Sequence, residues 1–183
     1  DGGAPGKFGA GGITSGSNML EYGDEQWLFC GGANRDHGWG IKPDFSLDDS
    51  IPPQDQERRV RIFVAKQKRD RFASLAANQT SRFDVEIGSR QGTELTINAL
   101  TRHEGAVRVA IAEQRSPYHL EPRKSDNLPG FSFEDCMPLK GDHVRAPARF
   151  RRAKIPDLPK DKFLILRFEV TGGEVFGYEW KTT

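Results

Sequence analysis

The stretch RFDVEIGSRQGTELTINALTRHEGAVRVAI, residues 82–111, decides the fold class of this chain. It contains three runs in which apolar and polar residues alternate, at 83–87, 95–99 and 107–111. Alternation with a period of two is typical of β-strands, and Gly88, Gly92 and Gly105 punctuate the runs as turn signals. Short strands repeated at a spacing of about 12 residues predict an antiparallel β-sandwich.

The C-terminal part of the chain continues this pattern. Further strands are predicted at 144–150, 163–170 and 174–180. The pair Gly172 and Gly173 stands between two apolar runs, which is the composition of a tight hairpin turn. No stretch keeps a helical period over three turns. We therefore predict an all-β protein with a jelly-roll-like antiparallel sandwich domain over residues 80–181.

The N-terminal part is predicted to be a separate β-hairpin segment. Residues 1–17 are rich in glycine and are expected to form a tail, and residues 18–76 are expected to resemble a single propeller blade. Gly23 and Asp24 are a turn signal, and in the strand that follows, Trp27 and Phe29 fall on one face and Leu28 on the other. Unpaired strand edges beside an apolar face are templates for another chain. We therefore expect other copies of the chain as partners, in a homo-oligomer, a filament or a larger assembly.

Composition and motifs exclude several classes of function. Lys and Arg number 27 and Asp and Glu number 26, so the formal net charge of +1 gives no global field for nucleic acid, which is not predicted as a partner. No apolar run approaches the roughly 20 residues that span a bilayer. GxSxG, Walker and GxGxxG motifs do not occur. The two cysteines, Cys30 and Cys136, are predicted to be free, buried thiols.

The residue types that can bind metal ions do not form a recognised metal-binding motif in this sequence. The four histidines lie far apart without zinc-site spacing, at His37, His103, His119 and His143. One long loop holds a group of acidic residues, Asp44, Asp48, Asp49 and Asp55. Calcium prefers several oxygens from one loop, but this spacing does not follow a known calcium loop and turn capping explains the same residues. We predict no cofactor and keep calcium as the alternative.

Six runs carry a resemblance to a known family. They are YGDEQWLFCGGANRDHGWG (22–40), RDRFASLAAN (69–78), ELTINAL (94–100), PGFSFEDCMPLKGD (129–142), FLILRFEV (163–170) and VFGYEW (175–180). Together they resemble the C-terminal part, a last blade-like segment plus β-sandwich, of secreted bacterial proteins related to five-bladed β-propeller glycosidases, the sucrose- and fructan-cleaving group. The resemblance implies an extracellular or cell-surface location. It also implies that the catalytic carboxylates belong to earlier blades, so no catalytic residue is assigned in this chain.

Asp36, His37 and Trp39 are the candidate carbohydrate-binding residues. They lie together in a long loop, and aromatic rings in sandwich modules often stack on the apolar faces of sugars. The alternative for Asp36 is a turn-forming aspartate. Tyr118 and Trp180 are further candidates because neither is obviously needed for a core, although a core or interface role is open for each.

Basic residues also cluster. The candidate contacts for a polyanion are Arg149, Arg151 and Arg152, since cations near phosphate or sulfate release counterions. The alternative is a solvated strand face balanced by nearby acids, which the net charge favours. Pro129 and Gly130 are a turn signal, and in the motif that follows, Asp135 is predicted to cap a turn and Cys136 to join the core.

The function predicted from sequence is that of a non-catalytic extracellular β-sandwich module of a glycosidase-like parent, which serves assembly or binds carbohydrate. The alternative is one fragment of an active glycoside hydrolase whose catalytic blades lie on another or a cleaved chain. Glycoside hydrolysis needs two carboxyl groups held about 5 to 9 Å apart, and no local pattern indicates such a pair.

Overall fold

The computed structural model of this protein describes residues 12–34, 60–114 and 126–182. The chain divides into two compact units, with the boundary between Arg69 and Asp70. The described residues form eight strands and one short 3-10 helix, in the order β1 (Gly12–Tyr22), β2 (Glu25–Ala33), β3 (Val60–Lys68), β4 (Leu75–Ala77), β5 (Ser81–Gly88), β6 (Glu94–Glu113), β7 (Asp142–Pro147), the helix (Ile155–Asp157) and β8 (Leu164–Lys181). All strand pairs are antiparallel, which confirms the predicted all-β class.

The first unit contains a three-stranded sheet in the order β1-β2-β3. Tyr22 pairs with Glu25 across a turn in which Gly23 has a φ of 60°, a left-handed conformation that glycine adopts without strain. The predicted turn at Gly23 and Asp24 is therefore confirmed. Every residue of β1, the edge strand, is exposed. Among the described residues, no strand pairs with the outer edge of β1.

One face of this sheet is apolar and open to solvent. Cross-strand partners share a face, and Leu20 pairs with Trp27 while Phe29 pairs with Val64. The large apolar side chains of the unit that are exposed include Leu20, Tyr22, Phe29 and Ile62. Ile62 is 83% exposed, so this β-branched side chain gains little from burial within the chain.

The second unit is built on one antiparallel sheet in the order β4-β8-β6-β7, with β5 also paired to β8. Its centre is the long pair of β6 and β8, which runs from Glu94 opposite Lys181 to Glu113 opposite Leu164. The strand near residue 75, which the sequence grouped with the N-terminal segment, is β4 and pairs with β8. The predicted boundary between residues 76 and 80 stays a prediction.

Two predicted turns are wrong, because β6 continues through Gly105 and β8 continues through Gly172 and Gly173. The register jumps here, from Thr101 opposite Gly173 to Ala106 opposite Thr171. An isolated glycine marks either a turn or a site where two backbones approach closely. Here the backbones of Gly105 and Gly172 approach closely. Both long strands therefore continue through this irregularity, although the glycines had predicted a turn that would divide each of them into two strands.

The core of the second unit lies between the sheet and the segment after residue 126. The buried sheet residues include Leu95, Ile97, Val107, Val109, Ile111, Leu164, Leu166, Phe168 and Val170. The covering segment contributes Phe131, Cys136, Ala148, Ile155 and Leu158. Backbone hydrogen bonds attach this segment to β6, for example from Ile111 N–H to the Phe131 carbonyl and from Leu128 N–H to the Ile111 carbonyl.

The motif around residue 131 behaves as predicted. Gly130 has a φ of 82° in a turn after Pro129, and Phe131 packs edge-on against Phe150 with ring centroids 4.9 Å apart. Asp135 accepts hydrogen bonds from the backbone N–H and hydroxyl of Ser132, which is a turn-capping role. Cys30 and Cys136 are both free and buried, which confirms the prediction for the thiols.

No helix in the described parts of the chain is long and apolar enough to cross a membrane.

Candidate functional site

The sugar-binding candidates from the sequence fall mostly outside the described residues. Asp36, His37 and Trp39 lie there, as do Tyr118 and the acidic loop proposed for calcium. Trp180 is described, and its ring packs against the core opposite Leu95. The core role that the sequence left open for Trp180 is therefore confirmed.

The three arginines proposed to contact a polyanion have different surroundings. Arg152 pairs with Asp135, with Nη2 donating to Oδ2 at 3.0 Å. This hydrogen bond from Arg152 is the main reason that the pKa of Asp135 falls to about 2. Arg151 lines a cavity beside Phe133, whereas Arg149 lines a different one.

Among the described residues, two carboxyl groups have a shifted pKa, those of Glu134 and Asp135. Both pKa values are lowered, which favours the ionised form. Hydrogen bonds from its own backbone N–H and from Ser132 lower the pKa of Glu134, and Arg152 does so for Asp135. A general acid in glycoside hydrolysis needs a raised pKa instead. Glu134 and Asp135 are therefore suited to hold hydrogen bonds and ion pairs rather than to protonate a leaving group.

The most site-like feature of the second unit lies along the end of β8. A cavity of about 140 Å³ is lined by polar groups, among them Thr96, Asn98, Arg145 and Glu179, together with Gly177 and Tyr178. Arg145 Nε donates to Glu179 Oε2 at 3.0 Å, and both side chains are partly exposed. A guanidinium beside a carboxylate presents donors and acceptors side by side, which is the pattern that neighbouring hydroxyl groups require.

A second cavity is apolar and shares two lining residues with the first. It measures about 330 Å³, and its walls include Leu75, Phe83, Val85, Val175 and Phe176. Phe83 is itself supported by stacking on the buried Phe168, with ring centroids 4.8 Å apart. Gly177 and Tyr178 contribute to the lining of both cavities. We call the two cavities together the β8 cleft.

Arg71 makes one wall of the β8 cleft rigid. Its Nε donates to Asn98 Oδ1 at 3.0 Å, its Nη2 lies 2.7 Å from Asp142 Oδ1, and only 10% of its side chain is exposed. The guanidinium also lies over the ring of Phe176, 4.5 Å from the centroid. One buried cation therefore positions both the amide of the polar cavity and an aromatic wall of the apolar cavity.

The floor of the β8 cleft is open because residue 177 is glycine. A Cβ added to Gly177 would meet no atom within 4 Å, and its φ lies outside the left-handed range. The backbone here therefore does not require glycine. Asn98 pairs with Gly177 and Ala99 with Val175, so Phe176 has no partner on β6 and turns its ring toward Arg71 instead.

Sequence reasoning missed this site. Its candidate residues included none of Arg71, Arg145, Tyr178 and Glu179. The signal that points to the site is the glycine in VFGYEW, because an isolated glycine inside a strand marks a bulge or the approach of a ligand. The described residues hold no group of three His, Cys, Asp or Glu residues that could bind a metal ion.

The resemblance to propeller glycosidases rests on the sequence motifs alone. No protein-family model, no curated protein and no solved structure matches the chain.

Proposed function

We propose that this chain is a non-catalytic carbohydrate-binding β-sandwich module that takes a neutral sugar in the β8 cleft. The observation that carries the proposal is that Gly177 and Tyr178 contribute to the lining of two cavities, one with an ion pair that has hydrogen-bonding capacity and one with an aromatic and aliphatic surface. A pyranose or furanose ring has the same two aspects, since hydroxyl groups surround it and C–H groups cover its faces. Concave, mostly apolar sites with a few placed polar groups are the usual form of small-molecule sites.

Each part of the cleft has a role in this proposal. Arg145 and Glu179 bind two neighbouring hydroxyl groups, one through a guanidinium N–H and one through a carboxylate oxygen. The ring of Tyr178 and the aromatic wall at Phe176 contact the C–H face. Arg71 acts through Asn98 and Phe176 as a positioning residue. The extracellular location that the family resemblance implies belongs to this proposal, because secreted glycans are the ligands such a module meets.

The proposal is tested by a substitution that adds a side chain at Gly177 and so occupies the cleft. Gly177→Leu places a side chain in open space, so we expect the fold to persist while the cleft becomes occluded. Calorimetry with gluco-, xylo- and fructo-oligosaccharides should show binding by the natural chain and a loss of at least about ten-fold in Gly177→Leu, equivalent to about 1.4 kcal/mol. Gly177→Ala is the matched control and should retain most of the affinity.

A pair of tyrosine variants separates ring contact from hydrogen bonding. Tyr178→Phe keeps the apolar ring and should bind nearly as well as the natural chain, whereas Tyr178→Ala should bind several-fold more weakly. Circular dichroism and thermal unfolding of every variant establish that the fold is retained. The proposal fails if none of these oligosaccharides binds the natural chain, or if Gly177→Leu binds as tightly.

The exposed face of the N-terminal sheet favours assembly as a second candidate function. Every residue of the edge strand β1 is exposed, and no strand of the described residues pairs with its outer edge. Two copies of such a strand can pair antiparallel about a two-fold axis. Such pairing would place Ile62 and Phe29 of each copy on one continuous apolar surface. Sedimentation should then show a concentration-dependent dimer that Ile62→Lys weakens, and a monomer at every concentration contradicts this candidate.

A further inference from the structure

A charged cavity of about 300 Å³ lies beside Phe133, on the loop that follows the Gly130 turn. Its lining residues include Arg108, Phe133, Glu134, Pro138, Arg151 and Glu169. We call it the Phe133 cavity. It shares no lining residue with the β8 cleft, and the proposed sugar site does not use it.

The acidic residues at this cavity are already engaged by partners within the protein. Glu169 Oε2 accepts hydrogen bonds from Arg82 at 2.9 and 2.6 Å, and Glu169 Oε1 lies 3.3 Å from Arg108 Nη1. Two guanidinium groups therefore surround one partly buried carboxylate, whose side chain is 12% exposed. This arrangement leaves an excess of positive charge around Glu169.

Glu134 is the second carboxylate, and it is held ionised. Hydrogen bonds from its own backbone N–H and from Ser132 keep its pKa below the usual value, and the charge of Arg82 contributes less. Its neighbour Asp135 is occupied by Arg152. The acids of this loop are therefore fixed as acceptors for groups of the same chain.

Arg151 differs from the other arginines at the cavity. Its backbone N–H donates to the Asp135 carbonyl, but within residues 12–34, 60–114 and 126–182 its guanidinium has neither an ion pair nor a hydrogen bond. The side chain is exposed and lines the cavity. An exposed guanidinium keeps its paired N–H donors available for a carboxylate, which it binds in a bidentate geometry.

Phe133 supplies an apolar surface next to this free cation. The ring is half-buried, and the guanidinium of Arg82 lies 4.9 Å from its centroid. Pro138 adds a second apolar wall. The ligand that fits this cavity carries a carboxylate on a ring with an apolar face.

We propose that the Phe133 cavity binds the carboxylate of a uronic acid residue in an acidic polysaccharide. Arg151 receives the carboxylate, Arg108 adds a second positive charge, and the sugar ring packs on Phe133. Carboxylate and sulfate are both oxyanions that arginine binds, and the planar carboxylate matches the fork of a single guanidinium.

The test is calorimetry of the full chain with oligogalacturonate, alongside gluco-oligosaccharide of the same length, heparin fragments and a single-stranded DNA oligonucleotide. We expect oligogalacturonate to bind and Arg151→Gln to weaken it by on the order of ten-fold or more. Arg149→Gln is the matched control, because it removes the same charge from an exposed arginine that lines another cavity. It should leave the affinity unchanged.

Two further variants make the outcome specific. Phe133→Leu should weaken oligogalacturonate several-fold through loss of the ring surface, and Gly177→Leu should have no effect, which separates this site from the β8 cleft. Equal losses in Arg151→Gln and Arg149→Gln indicate unspecific charge attraction and overturn the proposal. Tighter binding of DNA or heparin than of oligogalacturonate also overturns it, as does the absence of oligogalacturonate binding.

Discussion

Gly105 of β6 lies directly against Gly172 of β8, so close that a Cβ on Gly105 would stand 2.3 Å from the Gly172 carbonyl oxygen. The two strands meet here between the pairs Thr101 with Gly173 and Ala106 with Thr171. The contact is between backbones, and no side chain fits into it. The continuity of both long strands therefore depends on the lack of a side chain at residue 105.

Gly105→Ala should destabilise the second unit strongly. Its Cβ would overlap backbone atoms, which cannot rotate away as a side chain can, so we expect a loss of at least about 2 kcal/mol in the free energy of unfolding. Urea unfolding followed by circular dichroism measures this. Gly177→Ala is the control in the same sheet, and because it meets no atom it should be neutral or slightly stabilising. Similar stabilities for the two variants would contradict the role of the close contact.

The ion pair between Asp135 and Arg152 should make the free energy of unfolding depend on pH. The pKa of Asp135 is about 2 in the folded protein, below its usual value of 3.8, chiefly because Arg152 hydrogen-bonds the ionised form. A lowered folded-state pKa contributes stability that is present above pH 3.8 and is lost as the pH falls toward 2.

Asp135→Asn should therefore lower stability at neutral pH and reduce its decline between pH 3.8 and about 2. Thermal unfolding of both chains across this range measures the difference. Asp161→Asn, which changes another carboxylate in an exposed position, is the control and should keep the pH dependence of the natural chain. Parallel pH profiles for Asp135→Asn and the natural chain would show that this pair does not link folding to protons.

Arg71 should be more important for stability than other arginines of the chain. Its side chain is 10% exposed and bonds Asn98, Asp142 and the carbonyl of His143, while it lies over the ring of Phe176. Arg71→Met keeps much of the volume but leaves the buried Asn98 oxygen without this donor, so we expect a loss of about 2–3 kcal/mol.

Arg71→Lys is the informative companion, because lysine keeps the charge without the planar fork. We expect it to recover only part of the loss in urea unfolding. Arg102→Met, which removes a hydrogen bond to Asn78 from an exposed arginine, should change stability by less than about 0.5 kcal/mol. Full recovery by lysine would indicate that charge alone matters at position 71.

The thiol of Cys136 should be protected by the fold. Burial raises the pKa of this thiol, and the backbone N–H of Val109 hydrogen-bonds the sulfur at 3.3 Å. Because the thiolate is the reactive form, a colorimetric thiol reagent should modify Cys136 only as fast as the second unit opens. The labelling rate of a Cys30→Ala chain should rise with urea along the unfolding curve. Fast labelling in buffer would contradict the burial of this residue.

Local patterns were sufficient to predict much of the fold. The alternation around Phe83, Leu95 and Val107 predicted antiparallel strands, since a period of two requires no knowledge of the partner. The turns at Gly23 and Gly130 were predicted for a similar reason, because left-handed backbone is a local demand that glycine meets.

The β8 cleft could not be predicted in this way. Arg71 reaches Asn98 across 27 residues of sequence and His143 across 72, and these distances are closed only by the pairing of β6 with β7 and β8. The alternation of Tyr178 with Trp180 predicts that both residues belong to the core. In the structure Trp180 packs against the core, whereas Tyr178 lines both cavities. Exposure at the end of a strand depends on what the rest of the chain covers.

The sequence by itself determined the all-β class, the antiparallel strands around residues 83–111 and the two local turns, because side-chain periodicity and left-handed glycines act over a few residues. Only the tertiary structure decided that Gly105 and Gly172 support continuous strands rather than end them. A glycine permits both outcomes, and the choice depends on whether a second backbone lies within reach. The same reason holds for Gly177, whose missing side chain leaves a cleft only because Tyr178 and Phe176 stand beside it.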